Sequence, residues 1–486
     1  MSSHFLIPSF PLPPDQLQCG HAMKPHPCGV LPFGAALLRA SPVADARSPG
    51  LGAFAALPDE LLLSVLGELS PKCLAALSTA SRVFFAFATH EELWRAAALA
   101  DFCGDVVFKH GWRATYFARR RGLQAAEPPP LRSVAAPNLF SDLLFAPHLA
   151  CASPLQPEWL VRENVPRVSR LAPAAFRERF ERPNTPVILT DEVTSWPAFG
   201  LWDAPWLERE LGGTAVHAGG YSFALRDYLR YAANVTADDS PMYLFDSAVL
   251  SSTRLGGDYS TPSCFEEDLF GVLGSDRPDH AWLIAGPPRS GSSFHVDPNG
   301  TSAWNGVVRG SKRWVLFPPG VPPPGVASSP DGAHVAAPTC LFDWFRCFHS
   351  SASSFKSIRE CTLSAGEVLF VPSGWWHAAL NVGNGLTVAV TRNFASSSNL
   401  HAVLSCLRAG GGLVSGVPDD RRSGLHDAFV DALVSAGESV VDPQHPALAA
   451  ALRRRRGAPL HDGAAKRAVV EAGHFAFGFA APAGEE

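Results

Sequence analysis

From Leu57 the apolar residues recur at helical spacing: Leu61, Leu62, Val65, Leu66 and Leu69 form one face. Pro58 suits the first turn of that helix, and Asp59 and Glu60 complement the positive end of its dipole. Ser70-Pro71 ends it and caps a second helix carrying Leu74 and Leu77. Ser81 to Phe85 leads to a third, with Leu93 and Trp94. Residues 101–122, with Trp112 and Tyr116, predict a closing helix, so 55–122 reads as a small all-α unit. Beyond residue 161 the spacing is mixed. Phe176 and Phe180 share a helical face, while Pro186–Thr190 and Pro241–Asp246 read as strands. After Pro262 many short strands punctuated by Gly and Pro predict a sandwich or barrel, to about residue 400. Residues 401–486 return to helical spacing, with Leu425, Phe429 and Leu433. The lead, 1–50, rich in proline and small residues, predicts disorder; 123–160 predicts a connector or wrapping arm. The fold class is mainly β with α.

Composition changes this picture little. The 486 residues, 47% of them hydrophobic, suffice for two or three domains with sizeable cores. Forty basic against forty-five acidic residues give a net charge of -5, which offers no global attraction to nucleic acid or anionic membrane. The runs Arg119–Arg121 and Arg453–Arg456 read as solvated faces. Ten cysteines without a C-x-x-C pair suit free thiols in a reducing compartment. No apolar run approaches the roughly 18 residues of a membrane span, and the proline-broken start has no basic n-region, so no secretory signal is expected. The expectation is an intracellular protein of nucleus or cytoplasm.

Candidate chemistry concentrates in one place. His295 and Asp297 lie two residues apart on an apparent strand and project to the same side, with Phe294 and Val296 opposite. Alone, such a pair is ordinary. A second histidine, His377, closes the run Gly366–His377, which reads as a buried strand, a Pro-Ser-Gly turn and a second strand on which His377 shares its face with Ala379 and Asn381. Two imidazoles and one carboxylate on one face of a metal leave three positions open, the arrangement of non-haem Fe(II) oxygenases. Zinc would more often take three histidines or two with a glutamate. A chelating 2-oxo acid needs a cation for its far carboxylate. Lys312, opening the strand Lys312–Phe317, is the candidate, with Arg309 and Arg313 as competitors; Arg313 alternates away from it. On the strand Leu386–Thr391, Thr387 and Thr391 share the non-apolar face, and Thr391 is placed to donate to the same carboxylate. Gly306–Lys312 hints at a phosphate loop, but the spacing is wrong and a strand follows. His334 and His349 read as exposed or structural. Cys340, Cys347 and Cys361 lie in what reads as an irregular insert without a zinc pattern.

The block Gly286–Asn305, with Gly310-Ser-Lys312-Arg-Trp314, Gly366–His377 and Thr391–Ser396, resembles the Jumonji-C (JmjC) family of Fe(II)/2-oxoglutarate oxygenases. The nearest branch is similar to the Jumonji-domain protein six, an arginine demethylase and lysyl hydroxylase, and to plant-type F-box/JmjC proteins. Leu57-Pro58-Asp-Glu-Leu-Leu, Leu-Ser-Pro-Lys, Ser81-Arg-Val-Phe and Glu92-Leu-Trp94 resemble the F-box in order. The resemblance implies a double-stranded β-helix (cupin or jelly-roll) barrel flanked by helices. It implies His295, Asp297 and His377 as iron ligands and Lys312, Asn305 and Thr391 as 2-oxoglutarate contacts. Ser292 stands where close relatives have threonine, Tyr243 sits in a matched Tyr-Leu-Phe-Asp block, and Asn381 and Asn393 are further pocket candidates. With O2 as co-substrate, the implied reaction hydroxylates a lysyl carbon or an N-methyl group on arginine or lysine. The F-box implies a cullin ubiquitin ligase adaptor as partner. The residues leave open a non-enzymatic F-box receptor that grips its client with the barrel, and a hydroxylase acting on RNA.

Overall fold

Alternating inward and outward side chains roll residues 281–394 into two facing sheets. The computed structural model describes residues 25–37, 44–123, 133–329, 334–338, 340–410, 412 and 414–457. Its strands are β1 (Arg167–Val168), β2 (Val187–Leu189), β3 (Ala215–Ala218), β4 (Tyr221–Ala224), β5 (Leu244–Asp246), β6 (Ala281–Gly286) and β7 (Gly291–His295). β8 (Ser302–Arg309), β9 (Ser311–Phe317), the short pair β10 (Ala327–Ser328) and β11 (Val335–Ala336), and β12 (Arg359–Ser364) follow. β13 (Val368–Val371), β14 (Trp376–Asn381) and β15 (Thr387–Phe394) complete the set. One sheet runs β1-β2-β13-β8-β15-β6-β5-β3-β4 and the other β12-β9-β14-β7. The chain crosses between them from β6 to β7, β8 and β9, and again from β12 to β13, β14 and β15. That path is the double-stranded β-helix.

β9 shows how sequence sets this wall. Trp314 and Leu316 join the interior cluster with Val307, Leu369, Ala379 and Ala389, and Lys312 shares their parity. Val315 and Phe317 face outward into a second cluster with Phe294, Val296, Ala378 and Leu380. Arg313 also faces outward, fully buried, and its guanidinium meets Glu360 on β12. His349 Nε2 donates to the same carboxylate at 3.0 Å. Burial alone would raise the Glu360 pKa; His349 and Arg313 reverse this and hold it below the usual range. Arg313 is therefore structural, and so is His349.

The helices Asp59–Gly67, Pro71–Leu77, Arg82–Ala88, Glu91–Phe102 and Trp112–Arg120 form the N-terminal unit. Ser70 and Ser81 cap two of them, accepting from Cys73 N at 3.3 Å and Phe84 N at 3.0 Å. The unit does not stand apart. Its Leu62, Leu66, Trp94 and Trp112 share one core with Phe223, Tyr228 and Met242 of the barrel's flank. Each fully buried leucine contributes about 1.5–3 kcal/mol to that packing, more than so small a unit could gather alone.

Four expectations need correction. The single apolar face of Asp59–Gly67 divides: Leu62 and Leu66 are buried, whereas Leu61 and Val65 are 40% and 44% exposed. The lead is ordered where it is described. Leu31 bridges Phe140, Val30 is buried, and Arg47–Leu51 is helical; residues 1–24 and 38–43 lie outside the described residues. The connector contains the helix Asp142–Ala152, whose internal Pro147 disguises it. The insert between the histidine segments is regular, with a helix Leu341–Ala352 burying Leu341, Phe342, Trp344 and Phe345 against the outer face of β7 and β14. Its apolar spacing is helical, but prolines and cysteines around it masked the period. The C-terminal helix Leu425–Ala436 buries Leu425, Phe429 and Leu433, and residues 458–486 lie outside the described residues. Among the described residues no single helix is long and apolar enough to cross a membrane, and the nine cysteines are free thiols.

Candidate active site

His295 closes β7 and His377 lies on β14 directly opposite it in register, so the sheet ladder alone brings the imidazoles together. Their ring centroids are 4.1 Å apart. Asp297 lies past the end of β7, yet its backbone stays extended at φ -59° and ψ 139°, so the alternation from His295 carries through. The turn behind it runs through Asn299 and Gly300, both with positive φ. One ligand atom from each of the three residues lies within 4.8 Å of the others. His377 Nε2 and Asp297 Oδ1 are 3.9 Å apart.

Tautomers are set by the backbone. His295 Nδ1 donates to Ser293 O at 2.7 Å and His377 Nδ1 to Trp375 O at 3.0 Å. Each Nδ1 is therefore engaged by the backbone, which leaves each Nε2 as the ring nitrogen available to a metal. Burial, then the neighbouring His377, push the His295 pKa well below its ordinary value, so this imidazole is neutral. Burial raises that of Asp297, whose Oδ2 accepts no hydrogen bond. Two imidazoles and a buried carboxylate oxygen that, among the described residues, has no hydrogen-bond partner fit a divalent cation.

The second half of the site lies further into the barrel. Lys312 on β9 is 1% exposed, and burial pushes its pKa down to about 7. Its Nζ donates to Tyr243 Oη at 2.7 Å, and among the described residues no acidic side chain forms an ion pair with it. A buried cation whose neighbours among the described residues are a phenol and the Trp314 ring, 5.2 Å from Nζ, calls for an anion. Asn305 on β8 and Asn381 on β14 are both buried with Oδ1 accepting nothing. Asn381 is paired with Lys312 in the ladder, and Thr391 on β15 with Asn305. Gly286 permits the close fit here, since a Cβ there would lie 2.1 Å from Ser290 Oγ and 2.9 Å from Tyr243 Cδ2.

The remaining candidates fall into place unevenly. Thr391 is half-buried and its hydroxyl donates to Trp304 O at 2.9 Å, so it must turn to serve a ligand. Ser292 is half-buried opposite Ala379, on the inner face. Asn393 lies near Asp297 and donates to Thr301 Oγ1 at 3.0 Å. Arg313, as expected, turns away. The sequence reading missed Phe245 and Trp282, stacked at 5.2 Å and half-buried against the interior cluster. Trp282 pairs with Thr391 across the ladder. The signal was available: Trp282, Ile284 and Gly286 alternate as His377 and Ala379 do.

Comparison with known proteins agrees with this geometry. Residues 223–400 match the family described as a cupin-like domain, and residues 54–99 match an F-box-like family. The chain is 41% identical over 412 residues to the arginine-specific demethylase JMJ22 of Arabidopsis thaliana, covering 84% of this chain and 81% of that protein. It is 34% identical to the lysine-specific demethylase JMJ21 of the same plant, over 73% of this chain and 38% of that one. Against the bifunctional arginine demethylase and lysyl-hydroxylase psr-1 of Caenorhabditis briggsae the identity is 38%, over 50% of this chain and 64% of the relative. With the paired histidines, the carboxylate and the buried lysine in one barrel, the chain belongs to the JmjC family of Fe(II)- and 2-oxoglutarate-dependent oxygenases, in the branch with an F-box-like unit ahead of the barrel.

Proposed function

We propose that this enzyme hydroxylates or demethylates a lysyl or arginyl side chain of a protein. Iron(II) would be held by His295, His377 and Asp297, and 2-oxoglutarate by Lys312. The observation that carries this reading is the pairing, in one barrel, of a three-ligand metal face with a buried lysine that has no acidic partner among the described residues. When bound, the metal and 2-oxo acid supply oxidising chemistry: O2 and 2-oxoglutarate become succinate and CO2, with one oxygen atom placed on a substrate C–H. On an N-methyl group the product loses formaldehyde; on a side-chain carbon the alcohol persists. The protein's work is binding and orientation. Neutral His295 donates a lone pair without first losing a proton. Lys312 takes the far carboxylate of the co-substrate, with Tyr243, Asn305, Thr391 and Ser292 as further contacts. The interior cluster of Trp314, Leu316 and Ala389 excludes water around them.

Support for an arginine or lysine client comes from the relatives named as demethylases of those residues. Incubating the iron-loaded protein with 2-oxoglutarate and peptides carrying lysine or N-methylarginine should give succinate and a peptide either 16 Da heavier or 14 Da lighter. Iron-dependent succinate formation that never appears with a fully loaded preparation would sink the reading.

We also infer that the F-box-like unit docks the adaptor subunit of a cullin ubiquitin ligase. Phe54, Leu61 and Val65 leave apolar surface 46%, 40% and 44% exposed beside exposed Pro58, while Leu62 and Leu66 anchor the unit to the core. Such a patch is expensive to leave in water. Changing Leu61 and Val65 together to Ser should abolish co-purification with the adaptor and leave succinate production and thermal stability unchanged. Retained co-purification would exclude this face.

A further inference from the structure

We propose that the F-box unit is also part of the co-substrate site: Trp112 and Arg95 position the wall that carries Tyr243. The inference rests on the reading of Lys312 as the 2-oxoglutarate anchor. Tyr243 precedes β5, in a stretch with no neighbouring strand ladder until Leu244, so its backbone must be held by other groups. Gly219 N donates to Tyr243 O at 3.3 Å and Tyr228 Oη to Met242 O at 3.0 Å, and a further set of ties reaches out to the N-terminal unit. Trp112 Nε1 donates to Asp238 Oδ2 at 2.8 Å, and its indole stacks on Tyr231 with centroids 5.4 Å apart and 20° between planes. Tyr231 Oη donates to the same Asp238 oxygen at 2.9 Å and accepts from Met242 N at 3.0 Å. Arg95, on the helix Glu91–Phe102, donates to Ser240 O at 3.2 Å. On the other side Tyr228 Oη accepts from Leu244 N at 3.2 Å and donates to Ala285 O at 2.8 Å.

The backbone on the N-terminal side of Tyr243 is thus held by Tyr231 and Tyr228, and it is tied to the N-terminal unit directly by Arg95 at Ser240 and indirectly by Trp112 through Asp238 and Tyr231. Tyr243 Oη in turn accepts a hydrogen bond from Lys312 Nζ at 2.7 Å. Asp238 is the hinge of this chain. It is buried and accepts from Trp112, Tyr231 and Ser240 N, so one of its three hydrogen bonds joins the two units. If the seating loosens, Met242 and Ser240 lose their anchors and the phenol that orients Lys312 drifts. Displacement of a pocket wall by about an ångström is enough to weaken a ligand's polar contacts. The F-box unit is therefore a structural component of the oxygenase, and its adaptor face is mechanically continuous with the co-substrate wall.

The test uses the full-length chain loaded with Mn(II), which binds without turnover, and calorimetric titration with 2-oxoglutarate. Trp112→Phe keeps the ring stack on Tyr231 and removes the donor to Asp238. It should weaken 2-oxoglutarate binding about fivefold, the worth of one hydrogen bond, with Mn(II) affinity unchanged. In a Tyr243→Phe background the same substitution should have no further effect, because Trp112 acts through that phenol. Arg95→Met provides a second, independent arm with the same expectation. A folded Trp112→Phe protein that binds like the wild type, or that loses affinity equally in both backgrounds, overturns the positioning role alone. A wild-type protein that takes up no 2-oxoglutarate overturns the Lys312 reading and this inference with it.

Discussion

Replacing Asp297 by Asn should lower turnover more than about 100-fold, beyond what loss of an outer-shell partner costs a metal site, and at the same time stabilise the metal-free protein. The two effects have one cause. Asp297 is a buried carboxylate whose Oδ2 accepts no hydrogen bond, so without a cation it is a liability to the fold. An amide in its place removes the charge, and its Nδ2 can donate toward His377 Nε2, which lies 3.9 Å from the present Oδ1. Relief of an unsatisfied buried acceptor is worth about 1–3 kcal/mol. The sign of the pH dependence follows. Because burial raises its folded pKa, the folded metal-free protein holds this proton more tightly than the unfolded chain. Stability of the wild-type metal-free protein should therefore fall as pH rises from the ordinary carboxyl range through that raised value. The Asn variant should lack this slope. Calorimetric unfolding of metal-stripped and iron-loaded samples separates the terms: iron should stabilise the wild type and leave the variant unaffected. Equal stabilisation of both by iron would remove Asp297 from the ligand set.

Lys312→Met has the second largest expected effect. Breaking a buried ion pair costs about 3–5 kcal/mol, so 2-oxoglutarate affinity should fall roughly 150- to 5,000-fold. Ligand-free, the Met variant should be the more stable protein near neutrality, because a cation whose only hydrogen bond goes to Tyr243 is replaced by an apolar chain of similar length. Burial lowers the Lys312 pKa from 10.5 to about 7, so between those values the unfolded chain binds a proton that the folded one does not. Stability of the ligand-free protein therefore rises with pH across that window, by at most about 1.4 kcal/mol per pH unit. The bound dicarboxylate selects the ammonium form. Binding should accordingly take up a proton above about pH 7 and weaken up to about tenfold per pH unit. Titrations in buffers of different ionisation enthalpy read that proton directly. An unchanged pH profile in the Met variant would assign the dependence elsewhere.

The pieces legible in the sequence are those that obey local rules. Alternation placed His295 with Asp297, His377 with Ala379 and Asn381, and turned Arg313 away from Lys312; each follows from the period of a strand and holds in the sheets. The serine cap before Pro71 marked a helix start for the same reason. The helix Asp142–Ala152 was hidden because Pro147 breaks the local rule while tertiary packing tolerates it. Leu341–Ala352 escaped because its apolar face is short and flanked by proline-rich chain.

By itself the sequence determined which residue types share a strand face, hence the metal face and the inward lysine, because side-chain direction depends only on backbone period. Only the tertiary structure decided that His377 sits directly across from His295, that Lys312 has Tyr243 and, among the described residues, no carboxylate beside it, and that Trp112 reaches Asp238. These are contacts between residues 69 to 126 positions apart along the chain. Register, burial and the seating of one unit on another set them, and no local period encodes such distances.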